Sequence, residues 1–405
     1  MLEIKNGMKG LFWMTGKIIG ITTTDEKGLT EVTKHDLLLQ GGHSANICYT
    51  KKNWDQVVSE PLEDTENRIN DNKENNHHSV FGHSHVSVYF EGMPKLLAML
   101  MNNEKEYNTS EKSARYTKMK PREQELILYT KWISLLENKI KQAYPNENYL
   151  SDKTIHKLAL ENARYLISVF TPTNMVYTTS ERQWNYLYDF AGKMLEEPSD
   201  NRLINGLKPS LEEFRKVLEG LDILDKDIVD YRNRRFSLIS DDVDYKEHFG
   251  RSYSVNYELS FAGVAQAQRH RSLDYQIEDS LDAFYVPPII WNDENLKNEW
   301  LKDISSVRDF VPQGTLLWVN ETGKYEDFKL KLQERLCTHA QLEICESSRM
   351  ILEKYVNSLK EEKDRRNEKI LSALEPCLTG ARCTFGYKCT NPCNFKEGIS
   401  LTRKI

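Results

Sequence analysis

The chain has 405 residues, 39% hydrophobic and 29% charged, with a formal net charge of -6. Its length suits two domains of about 200 residues. The acidic balance excludes a dedicated nucleic-acid binder, because no broad basic face is available to neutralise a phosphate backbone, so any anion recognised must be small and locally bound. The sequence contains no apolar run long enough to span a membrane and no signal-peptide pattern, so a soluble, cytoplasmic protein with no membrane partner is expected.

In chain order, residues 11–13 and 18–24 read as short strands ahead of a Gly41-Gly42 break, and Ser44 opens a more regular element. Residues 60–76 are a polar linker or an exposed helix. His77-His78-Ser79 then leads into alternating Val86, Val88 and Phe90, the pattern of a half-buried strand. After Pro121, the residues Leu126, Tyr129, Trp132, Ile133, Leu136 and Ile140 recur at helical spacing. A second helix is predicted over 155–169 and others over 210–221, 298–307 and 325–359, the last running on towards Leu374. A helix-rich chain with a modest sheet is α+β.

The small-residue run 261–268 is predicted to be helical, which places Gln266, Arg269 and His270 on one face with Arg271 following. That face offers an amide, a guanidinium and an imidazole to one ligand, although a solvated basic helix end would also suit the helix dipole. A second stretch, Arg335 to Ile344, adds Arg335 and the run His339-Ala340-Gln341-Leu342-Glu343. Four of the seven cysteines, Cys377, Cys383, Cys389 and Cys393, crowd the tail without the paired spacing of common zinc sites. Packed thiols are the default there, zinc is the alternative, and no metal is expected.

The runs Ser44 to Tyr49, His77-His78-Ser79-Val80 with His83, Ser113-Ala114-Arg115-Tyr116, Ala163-Arg164, Arg269-His270-Arg271, and Arg335 with His339 to Ile344 together resemble the flavin-dependent thymidylate synthases. The order is abnormal. In the family, Arg-His-Arg and Ser-x-Arg-Tyr belong to one short motif, whereas here Ser113-x-Arg115-Tyr116 lies far upstream of Arg269-His270-Arg271. A duplication follows, with two tandem α+β domains of the thymidylate-synthase-complementing type, at 1–205 and 206–405, each with a central antiparallel sheet. The first half has Asn103-Glu104-Lys105 in place of Arg-His-Arg, and Ala191-Gly192 near the position of the later arginine. The second has Asp279-Ser280-Leu281-Asp282 at the Ser-x-Arg-Tyr register and Arg308 where the first has Arg164.

The resemblance implies a composite site that binds dUMP through Gln266, Arg269, Ser113, Arg115 and Arg164, with Arg335 as the catalytic cation on the uracil edge. It implies FAD held by Arg269, His270, Arg271, His77, Cys48 and Arg182, with Ser180 replacing the family's asparagine beside Arg182. Methylenetetrahydrofolate and NADPH would be co-substrates. Two chains would associate as a homodimer, a pseudo-tetramer of halves with one working and one dead site per pair of halves. Cys337 reads as a packed thiol, since no cysteine nucleophile is implied. Leu273, Asp274, Tyr275 and Ile277 depart from the family after Arg271, which leaves open a related enzyme that hydroxymethylates a uridine nucleotide. A catalytically inactive nucleotide-binding homologue is the third possibility.

Overall fold

The computed structural model describes residues 14–21, 33–115, 117–145, 150–239, 243–362, 364–380, 385 and 403–405. The first run of chain forms β1 (Thr15–Ile21), α1 (Lys34–Asn46), α2 (Trp54–Val58), α3 (Leu62–Glu74), β2 (His85–Pro94), α4 (Lys95–Met101) and β3 (Asn108–Glu111). Next come α5 (Glu123–Ala143) and α6 (Asp152–Ala163), then β4 (Pro172–Ser180), α7 (Glu181–Glu196) and α8 (Arg202–Gly220). The last run carries β5 (Ser252–Ser260), α9 (Phe261–Ala267), β6 (Asp274–Glu278), α10 (Glu294–Ser306), β7 (Leu316–Lys324), α11 (Tyr325–Arg335), α12 (Leu342–Glu362) and α13 (Glu368–Leu374). The chain is α+β, as its sequence implies.

Contacts divide it into two compact units, one of Met1–Lys112 with Pro172–Phe236 and one of Ser113–Thr171 with Ser237–Ile405. Helices α5 and α6 fall in the second unit, and β4, α7 and α8 in the first.

The first unit holds an antiparallel four-stranded sheet in the order β1-β2-β4-β3. Alternation along β2 buries Val86, Val88 and Phe90, as the period-two pattern requires. Phe90 meets Trp184 of α7 and Phe214 of α8 at centroid separations of 6.0 and 5.9 Å. Helix α8 starts at Arg202, capped by the Asn201 side chain, and runs through Pro209. It therefore begins well before the helix expected from residue 210.

The second unit holds an antiparallel three-stranded sheet in the order β5-β7-β6. Its core joins α5 and α10 through Trp132 and Trp300, edge to face at 4.9 Å, both fully buried. The residues that depart from the family pattern, Leu273, Tyr275 and Ile277, are buried at and along β6. Leu273 packs so closely on Gly323 of β7 that a Cβ there would meet its Cδ2 at 2.4 Å.

Apart from β1, the two sheets repeat one order: strand, seven-residue helix, strand, helical excursion, nine-residue strand, helix. Helices α4 and α9 are almost wholly buried, and β4 and β7 occupy equivalent central places. Asn103-Glu104-Lys105 stands as far beyond the end of α4 as Arg269-His270-Arg271 stands beyond the end of α9. Arg164 and Arg308 each begin a short 3-10 turn ahead of the central strand.

Two expectations are corrected. Residues 325–359 are two helices, not one, because the chain turns at 336–341, where the carbonyls of Thr338, His339 and Ala340 accept from side-chain guanidinium groups instead of helical amides. Helix α9 ends at Ala267, so Arg269 and His270 lie on the turn that follows it, tied by Arg269 N–H to Gln266 O and His270 N–H to Ala267 O.

Among the described residues no helix is long and apolar enough to cross a membrane. Among the same residues no cluster of His, Cys, Asp or Glu could hold a metal ion. Cys377 is buried, while Cys383, Cys389, Cys393 and Tyr116 lie outside the described residues.

Candidate functional site

The site is assembled in the second unit around Gln341, which follows the turn between α11 and α12. Its Oε1 accepts from both Arg164 Nη2 and Gln266 Nε2, and its Nε2 donates to the Tyr165 hydroxyl. Tyr165 donates in turn to Glu343 Oε2 at 2.7 Å, and Ser260, the cap of α9, gives Glu343 its amide and hydroxyl, both at 2.8 Å. Burial pushes the Glu343 carboxyl up from its ordinary range, while the bonds from Tyr165 and Ser260 pull it back. One glutamine thus ties together the start of β4's lead-in turn, the end of α9 and the start of α12. Among the described residues, two buried polar atoms here have no hydrogen-bond partner, Gln266 Oε1 and Arg164 Nε. An acceptor and a charged donor left unpaired at one place are costly unless something else satisfies them.

Arg335, at the last position of α11, has a side chain only 11% exposed. Its Nε donates to His270 Nε2 at 2.8 Å, so that ring nitrogen carries no proton. Burial, then the charges of Arg335 and Lys331, push the His270 imidazole down to about 2. Burial also lowers Arg335, to about 10, with Glu334 opposing and the Arg269 and Arg115 charges adding to the shift. The guanidinium therefore stays charged at neutral pH. Arg115 is held by Glu161 at 2.7 Å through Nε and donates to His339 O at 2.7 Å through Nη2, while its amide approaches Ser113 Oγ at 3.4 Å. Beneath Arg335, the fully buried Lys331 pairs with Glu321 at 2.5 Å, and Tyr253 and Tyr257 also donate to that carboxylate.

The second unit thus gathers Ser113, Arg115, Arg164, Gln266, Arg269, His270, Arg271 and Arg335, drawn from both sequence halves. Arg269 and Arg271 point to solvent, whereas the His270 side chain is only 8% exposed and turned towards Arg335. Cys48, His77 and Arg182 belong to the first unit. Cys48 and His77 are exposed. Arg182 lies in the first turn of α7 over the Tyr186 ring at 5.7 Å, with its buried Nε unpartnered. Ser180 caps that helix by accepting from Gln183 N–H at 3.2 Å, which accounts for a hydroxyl at that position. Sequence reasoning passed over Gln341, Glu343, Tyr165 and Glu161 as site residues. Gln341 and Glu343 stood in the quoted His-Ala-Gln run, and Tyr165 stood beside Arg164, but nothing in the sequence marks Glu161.

The family model described as thymidylate synthase complementing protein matches residues 41–193. No curated protein matches the chain. Among solved structures, the UMP/dUMP methylase PolB from Streptomyces cacaoi bound with 5-Br dUMP is 15% identical, covers 52% of this chain and 97% of its own, and gives a TM-score of 0.29. Thymidylate Synthase X from Helicobacter pylori with FAD and dUMP is 13% identical over 51% of this chain and 98% of its own, also at 0.29. The runs Ser44 to Tyr49, His77 to Val80, Ser113 to Tyr116 and Ala163-Arg164 lie within the matched 41–193, so the sequence resemblance and the family match fall on the same segment.

Proposed function

We propose that the chain is a flavin-dependent enzyme that methylates dUMP to dTMP, with methylenetetrahydrofolate as carbon donor and NADPH as reductant. The observation that carries this is the gathering of Arg115, Arg164, Gln266 and Arg335 in one compact unit although they lie far apart in sequence. The phosphate dianion is matched by Arg115, Arg269 and the Ser113 hydroxyl, since guanidinium forks and a hydroxyl suit its oxygens. Gln266 Oε1, without a partner among the described residues while its Nε2 donates to Gln341 Oε1, can accept from a ring N–H of uracil.

Arg335 supplies fixed positive charge where negative charge develops on the ring. His270 acts as a neutral acceptor that sets the guanidinium's orientation. Preorganised charge of this kind is worth about 3 to 4 kcal/mol of barrier. When bound, FAD would supply the hydride that completes the methyl group. In the second unit Arg269 and Arg271 would hold it; in the first unit, taken by itself, Arg182, His77 and Cys48 are the cofactor contacts that the resemblance implies. The unpartnered Arg182 Nε fits an anionic or acceptor-rich cofactor.

The repeated strand-helix order of the two sheets supports a duplicated ancestor. In it, the helical excursion of the first repeat, 113–171, serves the second unit, so the working site is completed within one chain. Two chains would pair as a pseudo-tetramer. The test is an absorbance spectrum with FAD and then dUMP, followed by product analysis. Flavin bands that shift with nucleotide, and dTMP formed, support the reading. Binding without dTMP moves it to a uridine-modifying relative, and a protein that takes up neither ligand leaves a non-catalytic homologue. Mixing Arg115→Ala and Arg335→Ala chains after verified subunit exchange restores no activity if the site lies within one chain.

A further inference from the structure

Arg403 lies outside every motif described above, yet its guanidinium sits against the 336–341 turn. The residue is 3% exposed, and its Nη1 and Nη2 donate to the carbonyls of Thr338 and Ala340 at 3.0 and 2.9 Å. Its neighbours fix it from the other side. The Lys404 amide donates to the Tyr144 hydroxyl at 2.9 Å, and Ile405 is buried in the cluster that holds Trp132 and Trp300.

The intervening carbonyl, that of His339, accepts from Arg115. Three successive carbonyls are therefore held by two guanidinium groups, and the next residue is Gln341, the amide that bridges Gln266 and Arg164. Within the turn, the Ala340 N–H donates to Cys337 O at 2.9 Å. The two guanidinium groups add ties from parts of the sequence far from it. A planar fork can hold two carbonyls on alternate residues at once, which a single ammonium cannot do in the same geometry.

We propose that Arg403 is a positioning residue for the nucleotide site. It fixes the 336–341 turn in the register that aims Gln341, and through Gln341 it sets Gln266 and Arg164. The inference rests on the nucleotide reading above for its consequence, but its first step is a property of the free protein.

The experiment compares wild type, Arg403→Ala and Arg403→Lys by hydrogen exchange of peptides covering 336–345 and by dUMP affinity in titration calorimetry, with and without methylguanidinium. Arg403→Ala is expected to speed exchange across 336–345 while the β5-β7 peptides keep their protection. It should weaken dUMP by about tenfold or more, as loss of a charged hydrogen-bond pair implies. Methylguanidinium should restore part of both, and Arg403→Lys should fall between. Unchanged exchange at 336–345 in both variants overturns the inference, whatever the nucleotide does. Loosened exchange with dUMP affinity equal to wild type also overturns it, since the turn would then be structural only. If Arg403→Ala does not fold, Arg403→Lys decides the matter by the same two readouts. A wild type that binds no dUMP defeats the function proposed above, while exchange at 336–345 still decides whether Arg403 holds the turn.

Discussion

The turn after α4 and the turn after α9 occupy the same place in two sheets of the same order, and they carry opposite electrostatics. After α9, His270 accepts from the largely buried Arg335, and the corner beyond it is cationic. After α4, the equivalent position is Glu104, 1% exposed, which takes Nη1 of Arg234 at 3.1 Å. The place of Arg335 in the helix after the central strand is held in α7 by Ala191, and Arg234 comes from the chain beyond α8. Arg234 is shared with the buried Asp230 at 3.0 Å, and it covers the Phe190 ring at 4.3 Å. One turn thus keeps a guanidinium beside a neutral acceptor and leaves its charge available. The other consumes its guanidinium on two buried carboxylates. The lesson is that a repeated scaffold does not repeat a site unless the partner of the cation stays neutral.

Breaking the first turn should have the largest effect. Arg335→Ala is expected to lower the rate of dTMP formation by about 10²- to 10³-fold, the usual result of removing one preorganised donor, with little change in the unfolding midpoint. Rapid-quench product analysis checks it. The second turn should behave in the opposite way. Arg234→Ala leaves Glu104 and Asp230 buried without that partner and should cost about 2 to 3 kcal/mol in urea unfolding. A variant that unfolds like wild type would remove the contrast between the two turns.

Two pH slopes sharpen the comparison further, and they run in opposite directions. The His270 imidazole, whose ordinary value is 6.5, is pushed down to about 2 by burial and the Arg335 and Lys331 charges. The unfolded chain therefore binds a proton that the folded chain refuses. Stability is whole above 6.5 and is lost as pH falls towards 2, by at most about 1.4 kcal/mol per pH unit. His270→Gln should flatten that slope.

In the first unit, Glu181 is fully buried, both its carboxylate oxygens lack a partner among the described residues, and burial, with Asp225 adding, pushes it up from 4.5 to about 8. Here the folded chain keeps a proton that the unfolded chain releases, so stability falls as pH rises from 4.5 through 8. Glu181→Gln should stabilise the protein at pH 8 and do little at pH 5, as thermal melts at the two values would read. Equal shifts at both would mean that the carboxyl is already ionised in the fold.

Helix α5 and strand β2 were legible because their burial periods are clean, with Tyr129, Trp132, Ile133, Leu136 and Ile140 on one face and Val86, Val88 and Phe90 on the other. The ends of α9 and α11 were not. Helical periodicity continues through Arg269 and Cys337, while the turn after α11 is held by guanidinium groups from residues distant in sequence. The same cause hid Glu161, since a lone glutamate in an amphipathic helix carries no sign that Arg115 will bind it. The departure at Leu273, Tyr275 and Ile277 was visible but reads differently in the fold, where these side chains pack β6 onto the sheet. The complementary arginines were found in sequence because they are rare, charged and placed in short motifs. The amide that joins them, Gln341, has no such mark.

The discontinuous second unit has a consequence for synthesis. Trp132 leaves the ribosome long before Trp300, and at about 5–20 residues per second the delay is roughly ten to thirty seconds. Throughout that interval the apolar face of α5 has no indole to meet, although α5 is already long enough to form. Until Trp300 emerges, the face of α5 that packs on it can be covered only by nearer elements such as α6, at a stage when the first unit already has most of its strands. A cell making this protein gains either from a holdase on residues 113–171 or from rapid passage through 172–300, which shortens the wait for Trp300.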